Sequence, residues 1–197
     1  MDKKWLPLAI TLGVAGVAVV TATVWSDNVE EQPLPQSLCH GALSRKTAEL
    51  IDDGQGGVVS TDEWEGKGRS TNYVFKECAV WRVNPGEIYA RDLFGLTIEG
   101  NPMPSERKEG AVPLGPGFTG WALPDQATAT LPDGCAAGMG WNTPYIRVRL
   151  SVKSQDEDRL ARLEQEPPVD PDIATRNNAT VVREAVTRLA KRYNCTP

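Results

Sequence analysis

The chain has 197 residues, a formal net charge of −5, four cysteines and a single histidine. Residues 1–25 hold two lysines against one aspartate, so the remainder carries −6. That balance, without a basic cluster, excludes a nucleic-acid surface and argues against adhesion to anionic lipid.

The run from Trp5 to Trp25 contains no charged residue across its 21 positions. As a helix it would reach ~31 Å, about the hydrocarbon thickness of a bilayer. Lys3 and Lys4 precede it, and Asp27, Glu30 and Glu31 follow. The positive-inside rule then predicts a retained single-pass anchor with the N-terminus cytoplasmic and the rest outside. A cleaved signal peptide ending at Ala22 is the rival, but its apolar core is usually ~7–15 residues, shorter than this run. Residues 26–38 are polar, acidic and proline-bearing, which predicts a stalk. The exported domain is then 39–197, long enough for one core.

Within that domain, Ser44 is a predicted N-cap, with Leu43 and Ala48 as its hydrophobic staple and Gly54 as the stop. Ala48 and Ile51 would face inward. Residues 57–64, 72–83, 87–98, 127–131 and 145–152 read as strands, with Asn84-Pro85-Gly86 as a turn. The last is the clearest: Ile146, Val148, Leu150 and Val152 alternate with Arg147, Arg149 and Ser151. Residues 100–126, rich in Pro and Gly, fit no regular element and predict a long loop. Residues 156–166 suggest one or two helical turns before Pro167-Pro168. Asp170-Pro171 predicts a helix start, with Asn177-Asn178 as an alternative. Ala174, Val182, Val186, Leu189 and Tyr193 form its apolar face. The predicted fold is α+β: a mostly antiparallel sheet of about five strands, a short N-terminal helix and a long C-terminal helix, preceded by one transmembrane helix.

The cysteines Cys39, Cys78, Cys135 and Cys195 are widely spaced, and none forms a C-x-x-C pair. An even set in an exported domain reads as two disulfides, with three connectivities open. Zinc would want closer pairs.

Two local patterns resemble a known group. Cys39-His40-Gly41-Ala42-Leu43-Ser44 opens a short helix and is followed by Cys78-Ala79-Val80-Trp81 in a strand. Leu131-Pro132 leads to Cys135, and a C-terminal helix ends at Cys195. Together these resemble uncharacterised membrane- or lipid-anchored exported proteins of streptomycetes and other actinomycetes, over residues 38–197. The resemblance implies a disulfide-stapled α+β domain, the pairs Cys39–Cys78 and Cys135–Cys195, and no catalytic residues. His40 stands where an aromatic residue is frequent in that group.

Chemistry is sparse. His40 adjoins a disulfide candidate, and no nucleophile elbow, zinc-helix motif or phosphate loop occurs. Asp52-Asp53 and Asp62-Glu63-Glu65 are the acids that a carboxylate hydrolase would use, but their spacing fits no calcium loop. Trp81, beside a cysteine in a strand, reads as core. Phe118, Trp121 and Trp141 lie among or near glycines; exposed, they would stack on a glycan or anchor an envelope protein, and the alternative is that they plug the loops onto the sheet. The sequence therefore predicts a non-catalytic, membrane-anchored envelope protein without metal or cofactor, held in the bilayer by residues 5–25. Its partner is an unidentified protein or glycan. The rival roles are a carboxylate cell-wall hydrolase and a subunit of a membrane complex.

Overall fold

A computed structural model describes residues 32–67, 74–84, 86, 88, 90–101, 106–152 and 169–195. The predicted span at 5–25 and the helical turns at 156–166 lie outside them. Among the described residues no helix is long and apolar enough to cross a membrane.

The fold is α+β, as predicted, but its main sheet has seven antiparallel strands rather than five, in the order β3-β4-β5-β9-β8-β7-β6. These are β3 (Val58–Lys67), β4 (Val74–Val83), β5 (Arg91–Asn101), β6 (Val112–Pro113), β7 (Thr119–Ala122), β8 (Gln126–Thr130) and β9 (Tyr145–Val152). A separate two-residue hairpin pairs β1 (Ser37–Leu38) with β2 (Leu43–Ser44). The helices are α1 (Arg45–Ala48), α2 (Cys135–Gly138) and α3 (Pro171–Arg192).

The two extra sheet strands arise inside 100–126, the stretch expected to hold no regular structure. Gly120 explains why a strand is tolerated there. A Cβ at Gly120 would stand 2.2 Å from the Thr128 carbonyl and 2.7 Å from Ala129 Cα, so only glycine lets β7 close on β8. Pro113 sits in the edge strand β6, where a missing N–H costs no ladder bond.

The register sorts the sheet into two faces. Cys78, Leu96, Leu150 and Ala127 lie side by side across β4, β5, β9 and β8, and all are buried. Ile98, Val148 and Ala129 form the next such row. This face meets α3, which lies across β7, β8 and β9. Ala122, Ala127 and Ala129 keep that contact close, and Val181, Val182, Ala185, Val186 and Leu189 fill it. The opposite face carries the row Trp64, Glu77, Thr97, Arg149, Thr128 and Trp121. Trp81 shares that second face and is half-buried, so it lies outside the core between sheet and helix.

α3 starts where the sequence places it. Asp170 caps it by accepting from the Asp172 N–H at 2.8 Å, with Pro171 first in the helix. Asn178 is not a start but an interior residue; it is buried and its amide donates to the Leu123 and Pro124 carbonyls, both at 2.9 Å. Ser44 stands at the N-cap of α1, as predicted, but its side chain caps no backbone N–H; α1 is a single turn, and Ser44 Oγ bonds Thr47 Oγ1 at 3.2 Å and the Glu184 carboxylate of α3 at 3.1 Å. Residues 32–38, expected in the stalk, pack onto the domain: Leu34 and Leu38 are buried, and Gln32 bonds to β3 and β4.

Both disulfides implied by the resemblance are present. Cys39–Cys78 and Cys135–Cys195 have Cα separations of 5.0 and 4.9 Å, and no cysteine is free. The first ties the β1–β2 hairpin to β4. The second ties α2 to the end of α3.

Candidate functional site

The three aromatic residues singled out in the sequence do not gather into one site. Trp121, on β7, faces away from α3 and is only 6% exposed. Its indole N–H donates to the Glu106 carbonyl at 2.8 Å, and the Lys108 ammonium stands 5.8 Å from the ring centroid. The segment 106–111 thus folds over the ring, with Arg107 donating to the Ala111 carbonyl to close it. Trp121 holds that loop down rather than presenting a flat platform. Phe118 and Trp141 are half-buried and pack against the core on the helix side.

His40 occupies the tip of the β1–β2 hairpin, where Cys39 and His40 both have φ of 56°. Two successive non-glycine residues in the left-handed region cost ~1–3 kcal/mol each and persist only where the surroundings over-determine them. Here they do. Cys39 is bridged to β4, Arg188 donates to the Gly41 carbonyl at 3.3 Å, and Arg192 donates to the His40 carbonyl. The imidazole is held as well: Nδ1 is 3.4 Å from the Glu63 carboxylate, and Nε2 is 3.1 Å from the Glu77 carbonyl. Both ring nitrogens are thus directed at protein oxygens, and the neighbouring Cys39 is held in a disulfide.

Beside it, Lys76 pairs with Glu65 at 2.8 Å. The hydrogen bond and charge of Lys76 hold the Glu65 carboxyl below its usual value. The hydrogen bond to Glu65 in turn lifts the Lys76 ammonium above its usual value, against the opposing effect of burial.

The acids Asp52 and Asp53, candidates for hydrolysis, are each gripped by an arginine. Arg82, 1% exposed, donates through Nε and Nη2 to Asp52 at 3.1 and 2.6 Å and through Nη1 to the Gly57 and Gln32 carbonyls. Arg91 donates to the Asp53 carboxylate and to the Gly56 carbonyl. Nothing in the sequence linked Asp52 with Arg82 thirty residues on, except that a long apolar-flanked strand carrying Arg at an inward position needs a partner for it. The buried Glu99 on β5 likewise lies between Arg147 and Arg149 of β9, at 3.3 and 3.4 Å. Glu63 meets His40, and Asp62 lies exposed on the edge strand β3.

Among the described residues no group of His, Cys, Asp and Glu is arranged to hold a metal ion. Asn178-Ala179-Thr180 has the form of a glycosylation sequon, but Asn178 is buried and its amide already serves two carbonyls. No family model matches the chain, and neither a curated protein nor a solved structure is similar to it.

Proposed function

We propose that the chain is a single-pass, membrane-anchored domain of the cell envelope with a non-catalytic binding or scaffold role. The observation that carries this reading is that all four cysteines are joined in two buried bridges. Structural disulfides of this kind belong to oxidising compartments outside the cytosol. The uncharged run 5–25 behind Lys3 and Lys4 supplies the anchor and its orientation. The resemblance to actinomycete exported proteins supports the same setting. A scaffold role is supported further by residues that stood out in the sequence: Asp52, Asp53, Glu63, Glu65 and His40 all have side-chain partners within the domain, while Asp62 is exposed.

The test is topological. In intact spheroplasts of cells producing the full chain, added protease digests the domain beyond residue 32. Survival of the domain until lysis refutes the orientation, and recovery of a soluble form beginning near Thr23 replaces the anchor by a cleaved signal. Purified cell wall incubated with the full chain releases no soluble fragments; release would favour the hydrolase instead.

A further inference from the structure

We infer that one pole of the domain, the end at which Gln32 enters, is an apolar footing that rests on the bilayer. The inference builds on the anchor proposed above and specifies how the domain stands on it. The pole is fixed by hydrogen bonds. The Gln32 carbonyl accepts from Arg82 and its side chain accepts from the Val59 N–H. This is the end of the sheet where β3 begins and β4 closes, since Val58 pairs with Val83. Arg82 pairs with Arg91 and Phe94 with Val152, so β5 begins and β9 ends there too. The Val152 N–H donates to Asp125, Asn178 reaches Leu123, and Asn177 donates to the Leu50 carbonyl. The first turns of α3 and the residues after α1 therefore share this end.

Large apolar side chains are exposed here out of proportion. Seven are exposed among the described residues: Leu50, Val58, Trp64, Ile88, Val112, Val169 and Ile173. All but Trp64 and Val112 belong to this pole. Ile88 lies in the β4–β5 connection and is 91% exposed. Val169 and Ile173 flank the start of α3, and Leu50 sits one helical turn along from Ile173, beside Asn177. Single exposed aliphatic residues need no explanation, but a group at one end marks a contact surface.

The chain itself identifies the occupant. Six residues separate Trp25 from Gln32, and the seven steps between them, fully extended, span at most ~25 Å. Gln32 is bound to this pole, so the pole is the side of the domain held nearest the bilayer. The acids Asp52 and Asp53 at this end are covered by arginines, whereas Asp125, Asp170 and Asp172 are exposed. The contact is therefore an apolar one with neutral lipid, not an electrostatic one with anionic headgroups.

The experiment uses the full chain reconstituted into phosphatidylcholine vesicles that carry a headgroup nitroxide. Because every native cysteine is bridged, a thiol introduced by Ile88→Cys or Val169→Cys is the only one available to a fluorophore. Ala137→Cys provides the reference: Ala137 is exposed on α2, beyond the other end of β9, whose eight residues span ~26 Å. The labels at 88 and 169 show blue-shifted emission and several-fold stronger quenching than the label at 137, unchanged by added salt. Vesicles that float with the protein while all three labels stay equally unquenched overturn the footing and leave the anchor intact. Protein that remains in the aqueous fraction overturns the anchor, and the footing with it.

Discussion

Trp121→Ala separates a loop-holding tryptophan from a ligand platform, and the structure sets the magnitude. The ring is almost wholly buried. An aromatic side chain of this kind removes ~200 Å² from water, worth ~5 kcal/mol at ~25 cal/mol per Å². A compact unfolded state already hides ~10–40% of that area, which brings the figure to ~3–4.5 kcal/mol. The indole hydrogen bond to Glu106 contributes ~1 kcal/mol more, and the exposed loop carbonyl can turn to water when it is lost. The expected cost of Trp121→Ala is thus ~4–5.5 kcal/mol, at the upper end of the range for emptying a buried aromatic site. For a domain of this size that lowers the melting temperature by on the order of 10 °C. Trp121→Phe keeps most of the area and loses the hydrogen bond, so it costs ~1–2 kcal/mol. The assay is thermal and urea unfolding of the full chain in micelles, disulfides intact, followed by near-ultraviolet dichroism. A Trp121→Ala variant that melts with the parent refutes the burial argument. If that variant also failed to retain an envelope partner, the ring would be the platform.

Three further outcomes follow from other parts of the domain. Gly120→Ala drives a methyl group into the Thr128 carbonyl and costs several kcal/mol, whereas Gly95→Ala, whose new Cβ would meet the Cys78 carbonyl at an ordinary 3.6 Å, unfolds at nearly the parent urea concentration. Arg82→Met strands Asp52 and frees the Gln32 and Gly57 carbonyls, costing ~3–5 kcal/mol, and the double variant with Asp52→Leu recovers part of that; strict additivity of the two would deny that they act as a pair. The Lys76–Glu65 pair has a defined pH window. Glu65 is held below 4.5, so its contribution is present above that pH and lost as pH falls through its folded value. Lys76 is held above 10.5, so its contribution is present below that pH and lost as pH rises through its folded value. Lys76→Met returns the Glu65 carboxyl upward in an NMR titration, and an unmoved Glu65 would show that the ammonium is not the cause.

What could be read from the sequence is what depends on neighbours a few residues away. The alternation in β9 is local, and Ile146, Val148 and Leu150 are buried where the period of two requires. The Asp170-Pro171 start of α3 is equally local. At Ser44 the sequence marks the cap position but not the partners of the side chain, which are Thr47 and the carboxylate of Glu184, 140 residues later. β7 was hidden because Gly120 reads as a loop residue until the close approach of β8 is known. The cysteine pairs followed from the resemblance and not from spacing, which left three connectivities open.

The candidate chemistry was illegible for a related reason. A carboxylate in a turn has the same letter whether it faces water, a substrate or a guanidinium. Asp52 and Asp53 find Arg82 and Arg91 only because β4 and β5 end beside the loop that follows α1. Once those contacts form, both acids hold that loop against the sheet, and neither is free to move a proton on a bound molecule. His40 is spent in the same way, pinning a strained hairpin whose other supports are a disulfide and two arginines of α3. Asp52, Asp53 and His40 are thus used to lock loops, and five of the seven exposed large apolar side chains among the described residues lie at the pole that binds Gln32. Under the proposed scaffold role such a domain would act through its surface, and on the inferred footing its orientation would be set at the pole that carries Gln32, Ile88 and Val169.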